Sequence, residues 1–243
     1  MRVCPSVGSR KIRHTVLAGD YLKRGVAEFI GTFALIFIGA YAAIAAGRVP
    51  FLRIDRTGAA IVGARSTTGV MAVLPADHVI PEEKKFQTVL GDCFDLASRG
   101  QAIVTIGIQP TEPATGYGYI HTGNALPPPP GAKKYKTTMF KAERFVEKPN
   151  YETALEYLNS GQYRWNAGMF IWSFVTVTNG LQAHQPEMFA ACQRWFEAAK
   201  SPGKLAKVLA KEYPEIKKVS IDYALMEKAQ NVVVADGAFA WDD

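Results

Sequence analysis

The chain has 243 residues, a formal net charge of +6 and 48% hydrophobic residues, a composition typical of a globular protein with one large or two small domains. The charge is uneven, because residues 1–65 carry ten Lys/Arg against three Asp/Glu, whereas residues 66–243 carry eighteen against nineteen. The body of the protein is therefore nearly neutral, which argues against a nucleic-acid partner.

The three cysteines are widely separated, at Cys4, Cys93 and Cys192. They show neither a metal-ligand spacing nor an even-numbered disulfide framework, which favours a reducing compartment. Cys93 and Cys192 lie in helical patterns, where we expect them to be small, buried apolar residues.

A basic N-terminal segment, residues 1–25, precedes an apolar stretch. Residues 29–47 contain no charged side chain, which meets the length of one membrane-spanning helix, roughly 20 residues. The pattern predicts an apolar, membrane-spanning helix over residues 26–47, and a fully buried soluble helix is the alternative that stays open. Residues 48–69 are predicted to be a linker or a remnant of a further element.

The start of this apolar stretch, Ala-Glu-Phe-Ile-Gly-Thr-Phe at residues 27–33, resembles the opening helix of the aquaporin family. The resemblance is confined to residues 26–47. The family's further membrane spans and its Asn-Pro-Ala loops are absent from the sequence, which excludes a water channel.

From residue 70 onward, short apolar runs alternate with helical patterns. Residues 70–74 suit a buried parallel strand that ends at Pro75. A helix is predicted from residues 81–83, where a proline and two acids mark its start, to Gly100. Further strands are predicted at residues 101–107, 117–121, 139–146 and 231–235, and further helices at 151–159, 174–211 and 221–229. This alternation predicts an α/β domain with a mostly parallel sheet.

Asp77 and His78 follow the first of these strands. Ligands of such sheets bind at the carboxyl ends of strands, where a carboxylate is well placed to hold Mg²⁺. A turn-capping role explains Asp77 equally well. His78 is interpreted either as a base or, following the more frequent case, as a hydrogen-bonded structural histidine.

Other polar positions and glycines lie near the ends of apolar runs. Gly116 and Gly118 permit close approach of a ligand to the backbone, although a β-bulge explains them equally well. Glu147 and Lys148 precede a proline, and from this dipeptide alone an exposed ion pair is the simpler interpretation. Together with Asn166 they supply an acid, a base and an amide, which are groups that can hold the hydroxyls and phosphate of a sugar phosphate.

Five segments with these residues occur in a fixed order: LPADHVI at 74–80, PTEPATGYGYI at 110–120, FVEKP at 145–149, WNAGMF at 165–170 and SIDYALMEK at 220–228. Together they resemble the mannose-1-phosphate guanylyltransferases, a branch of the sugar-phosphate nucleotidyltransferases. The resemblance covers residues 70–243 and implies a Rossmann-like nucleotidyltransferase sheet flanked by helices. It also implies a cytoplasmic enzyme that makes GDP-mannose and pyrophosphate from GTP and mannose 1-phosphate with Mg²⁺.

The resemblance further implies roles for individual residues. Asp77 and Asp243 would hold Mg²⁺, and Asp77 would also be catalytic. Lys148 would be the second catalytic residue, facing the phosphate of the sugar. Asp222 belongs to a family motif, but the resemblance assigns it no contact with a substrate or a metal ion. The positions implied to bind the sugar phosphate are Gly116, Glu147, Lys148 and Asn166.

The sequence also departs from the family. The family's Gly-rich loop contains an Arg and cradles the nucleotide phosphates with backbone amides, but residues 1–69 contain no Gly-x-Gly-x-Arg pattern. We therefore expect residues 70–243 to form a partial domain, incomplete at its N-terminus, with impaired activity. The alternatives are a non-catalytic, membrane-tethered sugar-phosphate-binding protein and a related transferase that uses another nucleotide or sugar.

Overall fold

The computed structural model describes residues 69–75, 77–199, 201 and 203–243. The predicted segments 1–25 and 26–47, and the predicted linker except for residue 69, lie outside the described residues. Within the described part of the chain, every helix is too short or too polar to cross a membrane.

Six strands and five α-helices make up the described part of the chain. The strands are β1 (Val70–Val73), β2 (Ile103–Ile108), β3 (Tyr119–Leu126), β4 (Met139–Val146), β5 (Tyr163–Ser173) and β6 (Val232–Asp236). The helices are α1 (Glu83–Arg99), α2 (Tyr151–Ser160), α3 (Phe174–His184), α4 (Pro186–Ala199) and α5 (Lys204–Glu212), with a 3₁₀ turn at Tyr213–Glu215 and a π-helical turn at Asp222–Met226.

Local signals account for the ends of α2, one of the predicted helices. The side chain of Asn150 accepts a hydrogen bond from the Thr153 amide at 2.9 Å, which caps the first turn. Gly161 follows the last turn with φ +68°, the left-handed conformation in which glycine commonly ends a helix. These local signals fix both ends of the helix, and Ala154 and Tyr157 pack it against the core.

The longest of the described strands, β5, is absent from the sequence-based prediction. Trp165, Ala167 and Met169 are buried and alternate with the partly buried Asn166 and Gly168, which is the two-residue alternation of a strand. The polar Asn166 and the flexible Gly168 interrupt the apolar run. Because of this interruption, the sequence pattern did not indicate a strand here. β5 lies inside the sheet and pairs with β1, β2 and β3.

The α/β class and the helix-flanked central sheet are confirmed, but the described sheet is mixed and the expectation of a mostly parallel sheet is wrong for it. The strand order is β1-β5-β2-β6-β4-β3, and of the described pairings only β2 with β6 is parallel. The reason is that β5 runs antiparallel to all three of its partners and β4 to both of its own. The extra pairing of β5 with β3 joins β2, β5, β3, β4 and β6 in a closed circuit.

Two apolar clusters cover opposite faces of the sheet. Phe170 and Trp172 of β5 pack with α3, α4 and the π-helical turn, whereas Met169 and Ile171 pack with α1 and α2. Successive strand residues point to opposite faces, so both faces of β5 are buried. The prediction of buried, apolar cysteines is confirmed for Cys93 and Cys192, whose thiols are free and have their pKa raised by burial to about 12.

Gly107 of β2 provides a test of this packing. A Cβ atom at Gly107 would lie 2.6 Å from Cγ1 of Val234 and 2.7 Å from Cβ of Arg164. We predict that Gly107→Ala lowers the free energy of unfolding by about 1–3 kcal/mol, measured by urea denaturation, because neither neighbour can move without disturbing its strand.

The matched control is Gly91→Ala on α1, where nothing lies within 4 Å of the added Cβ. Removing a glycine from a helix interior should raise the free energy of unfolding by up to about 1 kcal/mol. Effects of the same sign and size at both positions would contradict the packing described for β2.

Candidate active site

A bulge in β5 shapes the candidate site. Asn166 pairs with Gly107 and Phe170 pairs with Thr105, so β5 uses two more residues than β2 over the same stretch. Gly168 lies within the bulge at φ +65°, a conformation that glycine adopts without a steric penalty. Its backbone N–H donates to Oδ1 of Asn166 at 3.2 Å. The bulge therefore holds the Asn166 side chain against its own strand.

The Asn166 side chain joins three parts of the fold. Oδ1 also lies 3.1 Å from the hydroxyl of Thr105 on β2, and Nδ2 donates to Oδ1 of Asp222 at 3.1 Å. Asp222, for which sequence reasoning found no contact, is thus a direct partner of Asn166. Sequence reasoning missed Thr105, although a hydroxyl inside the fully buried strand β2 is a signal that could have found it.

Glu147 and Lys148 follow the end of β4 and form an ion pair, with 3.1 Å between Oε1 and Nζ. The two side chains differ in exposure, because that of Glu147 is 12% exposed and that of Lys148 is 62% exposed. Glu147 raises the pKa of Lys148 above its usual value, which keeps the ammonium protonated. Lys148 has φ +47° and is the only non-glycine residue in the described ranges with positive φ. Such strain, of about 1–3 kcal/mol, often accompanies functional sites.

Gly118, rather than Gly116, lies against Glu147. A Cβ atom at Gly118 would be 2.5 Å from Oε2 of Glu147, so only a glycine lets this carboxylate approach the backbone. The carbonyl of Gly118 also accepts the backbone N–H of Asn166 at 2.8 Å. Gly116 is exposed in the preceding loop, with open space around it. Its contact with a sugar stays a prediction.

Two carboxylates meet in this part of the site. Burial and then the negative charge of Glu147 raise the pKa of Asp222 to about 6. Hydrogen bonds from Asn166 and Ser220 oppose this rise. The cluster formed by Glu147, Lys148, Asn166 and Asp222, here called the polar cluster, is rich in acceptors and contains one exposed cation.

A second group contains Asp77, His78 and Asp243, whose potential ligand atoms all lie within 4.8 Å of one another. Backbone hydrogen bonds between Val79 and Asp242, of 2.9 and 3.2 Å, hold the C-terminal segment against the loop after β1. The two carboxylates that sequence analysis singled out are therefore brought together, and their role as metal ligands stays a prediction.

The hydrogen bonds of His78 indicate the tautomer of its ring. Nε1 of Trp241 can only donate, and it lies 3.1 Å from Nδ1 of His78, so Nδ1 accepts. The imidazole proton is therefore on Nε2, which faces Oδ1 of Asp243 at 3.2 Å. His78 is the hydrogen-bonded histidine of the two sequence interpretations, and it orients Asp243. The remaining donor set is two carboxylates, which suits the preference of Mg²⁺ for oxygen ligands.

Aromatic contacts connect the two groups. The Tyr117 ring packs 5.1 Å from that of Trp165 on β5 and 5.3 Å from that of Trp241, which bonds His78. The next residue, Gly118, lies against Glu147 of the polar cluster. The carboxylate pair and the polar cluster therefore flank the segment formed by Tyr117 and Gly118.

Comparison with known proteins places these residues in a family. Residues 56–243 match the family described as "Nucleotidyl transferase". Over 174 residues, 72% of this chain, the sequence is 38% identical to a xanthan biosynthesis protein of Xanthomonas campestris pv. campestris, covering 35% of it. A mannose-1-phosphate guanylyltransferase of Salmonella montevideo is also 38% identical, with 72% of this chain and 36% of the relative covered.

Solved structures show the same relationship. A mannose-1-phosphate geranyltransferase from Thermus thermophilus superimposes with a TM-score of 0.60 and 35% identity, over 74% of this chain and 48% of that one. A mannose-6-phosphate isomerase from Helicobacter pylori gives a TM-score of 0.56 and 27% identity, over 72% and 64% of the two chains.

The chain spans about a third of the length of the curated relatives it matches. The family resemblance found in the sequence is confirmed by the matched family and by relatives named mannose-1-phosphate guanylyltransferase. This chain belongs to the nucleotidyl transferase family.

Proposed function

We propose that this chain transfers GMP from GTP to mannose 1-phosphate, giving GDP-mannose and pyrophosphate. The observation that carries the proposal is the pairing of two complementary groups beside Tyr117 and Gly118. Two carboxylates suit a cation that accompanies phosphates, and the polar cluster suits sugar hydroxyls and a sugar phosphate. The names of the relatives favour guanine and mannose. Because GTP is a cytosolic nucleotide, the reaction would occur in the cytoplasm.

The proposed chemistry needs no covalent enzyme intermediate. An oxygen of the sugar phosphate attacks the α-phosphorus of GTP, and the bond to pyrophosphate breaks as the new P–O bond forms. Catalysis then depends on positioning and on neutralising charge. The ammonium of Lys148, which is largely exposed, would reduce repulsion between the two anionic substrates. The Glu147 carboxylate would accept hydrogen bonds from sugar hydroxyls.

Asp77 and Asp243 would hold Mg²⁺ in this proposal, and His78 would keep the Asp243 carboxylate oriented. Bound Mg²⁺ would offset negative charge on the phosphates of the nucleotide. The described partner of Asp243 is the neutral His78 imidazole, and neither carboxylate has a side-chain cation among its described partners, so both remain available to a metal ion.

We predict that Asp77→Asn and Asp243→Asn each reduce pyrophosphate release from GTP and mannose 1-phosphate by roughly a hundredfold or more, because each removes charge from the metal position. Both should also weaken binding of Mn²⁺, followed by electron paramagnetic resonance. The control is Glu152→Gln, an exposed carboxylate on α2 that is remote in sequence from Asp77 and Asp243. Unchanged Mn²⁺ affinity in both aspartate variants would contradict the assignment.

For Lys148, we predict that Lys148→Met raises the KM for mannose 1-phosphate about tenfold and leaves the KM for GTP nearly unchanged, since the cation would face only the sugar phosphate. Steady-state kinetics with each substrate varied in turn measures this. Lys141→Met, which removes an exposed lysine paired with Glu143, is the control. An equal rise in both KM values would argue against a contact specific to the sugar phosphate.

A second function, binding of a sugar phosphate without catalysis, is favoured by one observation. The polar cluster is assembled among the described residues, whereas residues 1–69 lack the Gly-x-Gly-x-Arg pattern that would hold the nucleotide. Calorimetry with mannose 1-phosphate, alongside the pyrophosphate assay, separates the two functions. Binding without pyrophosphate release would replace the transfer proposal with this one.

A further inference from the structure

Among the described contacts, the side-chain amide of Asn166 has one N–H group without a hydrogen-bond partner. A side-chain amide has two acceptor lone pairs on its oxygen and two N–H donors on its nitrogen. The Gly168 N–H and the Thr105 hydroxyl both face Oδ1, at 3.2 and 3.1 Å, and Asp222 accepts one N–H of Nδ2 at 3.1 Å. Among the described contacts, only the second N–H of Nδ2 is unused.

The orientation of this amide follows from its neighbours. The Thr105 hydroxyl has one proton to share between Oδ1 of Asn166 and the carbonyl of Met169, both 3.1 Å away. The Gly168 backbone, however, can only donate, and an ionised Asp222 can only accept. Turning the amide over would set donor against donor at Gly168 and acceptor against acceptor at Asp222.

We propose that Asp222 is a positioning residue that fixes the Asn166 amide as a pure hydrogen-bond donor toward the sugar phosphate. This inference rests on the proposed sugar-phosphate ligand. Asn166 would then recognise an oxygen that accepts, while the Glu147 carboxylate recognises a hydroxyl that donates. The site would discriminate sugars by the direction of each hydrogen bond, because a wrongly placed hydroxyl leaves a polar group unpaired.

The surroundings of Asp222 support a functional reason for its position. Its carboxylate is partly buried on the π-helical turn beside Glu147, an arrangement that disfavours two negative charges. Lys148, from the same segment as Glu147, is the cation that faces both. A partly buried carboxylate beside a like charge lowers the stability of the fold, and such arrangements cluster at functional sites.

The raised pKa of Asp222 predicts that its contribution to the stability of the fold depends on pH. The pKa of Asp222 in the folded chain is about 6, above the ordinary aspartate value of 3.8. Between these values the folded chain retains a proton that the unfolded chain has released, so the Asp222 contribution to stability falls as pH rises through this window and stays lower above it. Four groups face Asp222: Glu147 and Lys148 from the end of β4, Asn166 from β5 and Ser220 from its own segment. Tyr223 is next to Asp222 in the chain and lies near Lys148.

We therefore predict that the melting temperature of Asp222→Asn, relative to that of the unmodified chain, increases between about pH 4 and pH 6 and then stays constant. Thermal unfolding monitored by circular dichroism over this range measures the difference. A difference that does not change with pH would show that Asp222 is ionised normally.

The positioning role is tested by mannose 1-phosphate binding to the full chain, measured by calorimetry without GTP. Asp222→Ala and Asn166→Ala should each weaken binding about tenfold. The double variant should bind no more weakly than Asn166→Ala alone, because Asp222 acts through Asn166. Asp222→Asn keeps an acceptor oxygen and should stay within about threefold of the unmodified chain. Glu227→Gln, exposed beyond the end of the same turn, is the control.

A direct signature comes from the side-chain amide signals of Asn166 in ¹H–¹⁵N spectra, identified by their loss in Asn166→Ala. On addition of mannose 1-phosphate to the unmodified chain, one of the two amide protons should shift much more than the other, because the other stays bonded to Asp222. This measurement needs no variant of Asp222 to fold.

Unaltered binding by Asp222→Ala, or losses that multiply to about a hundredfold in the double variant, would overturn the positioning role. Equal shifts of both amide protons would also overturn it. Failure of the unmodified chain to bind mannose 1-phosphate would overturn this inference together with the proposed sugar. If binding follows the expected pattern but no pyrophosphate is released, the proposed transfer reaction is contradicted and the positioning role of Asp222 is kept.

Discussion

The fold depends on the central position of β5. This strand pairs with β1, β2 and β3 and sends successive side chains into both apolar clusters. An eleven-residue strand buried on both faces must satisfy its backbone in the sheet, which fixes the register of all three neighbours. The candidate site lies where that regularity breaks, at the bulge around Gly168.

That break explains how an apolar strand can carry a polar recognition group. Asn166 is partly buried, and an unpaired amide there would cost free energy. The bulge supplies a backbone donor, β2 supplies the Thr105 hydroxyl and the π-helical turn supplies the Asp222 carboxylate. Three elements distant in sequence therefore define one side-chain orientation, and that rigidity is what recognition by hydrogen bonds needs.

Several features of the site oppose stability. Lys148 has a left-handed backbone conformation, and Asp222 is partly buried beside another carboxylate. Gly118 must lack a side chain so that Glu147 can approach. Each feature is a local cost that the two apolar clusters and the sheet offset, as expected where function rather than stability selects the residues.

The sequence by itself determined the family, the α/β class and those elements with strong local signals, such as α2 with its Asn150 cap and Gly161 end. It also singled out Asp77, Glu147 and Asn166, because polar groups at the ends of apolar runs are visible in a linear pattern, and the family resemblance added Asp243. Only the tertiary structure decided the antiparallel course of β5, the hydrogen bond between His78 and Asp243 and the bond between Asn166 and Asp222. These depend on contacts between residues far apart in the chain, such as the 56 positions that separate Asn166 from Asp222, and local patterns carry no information about such distances.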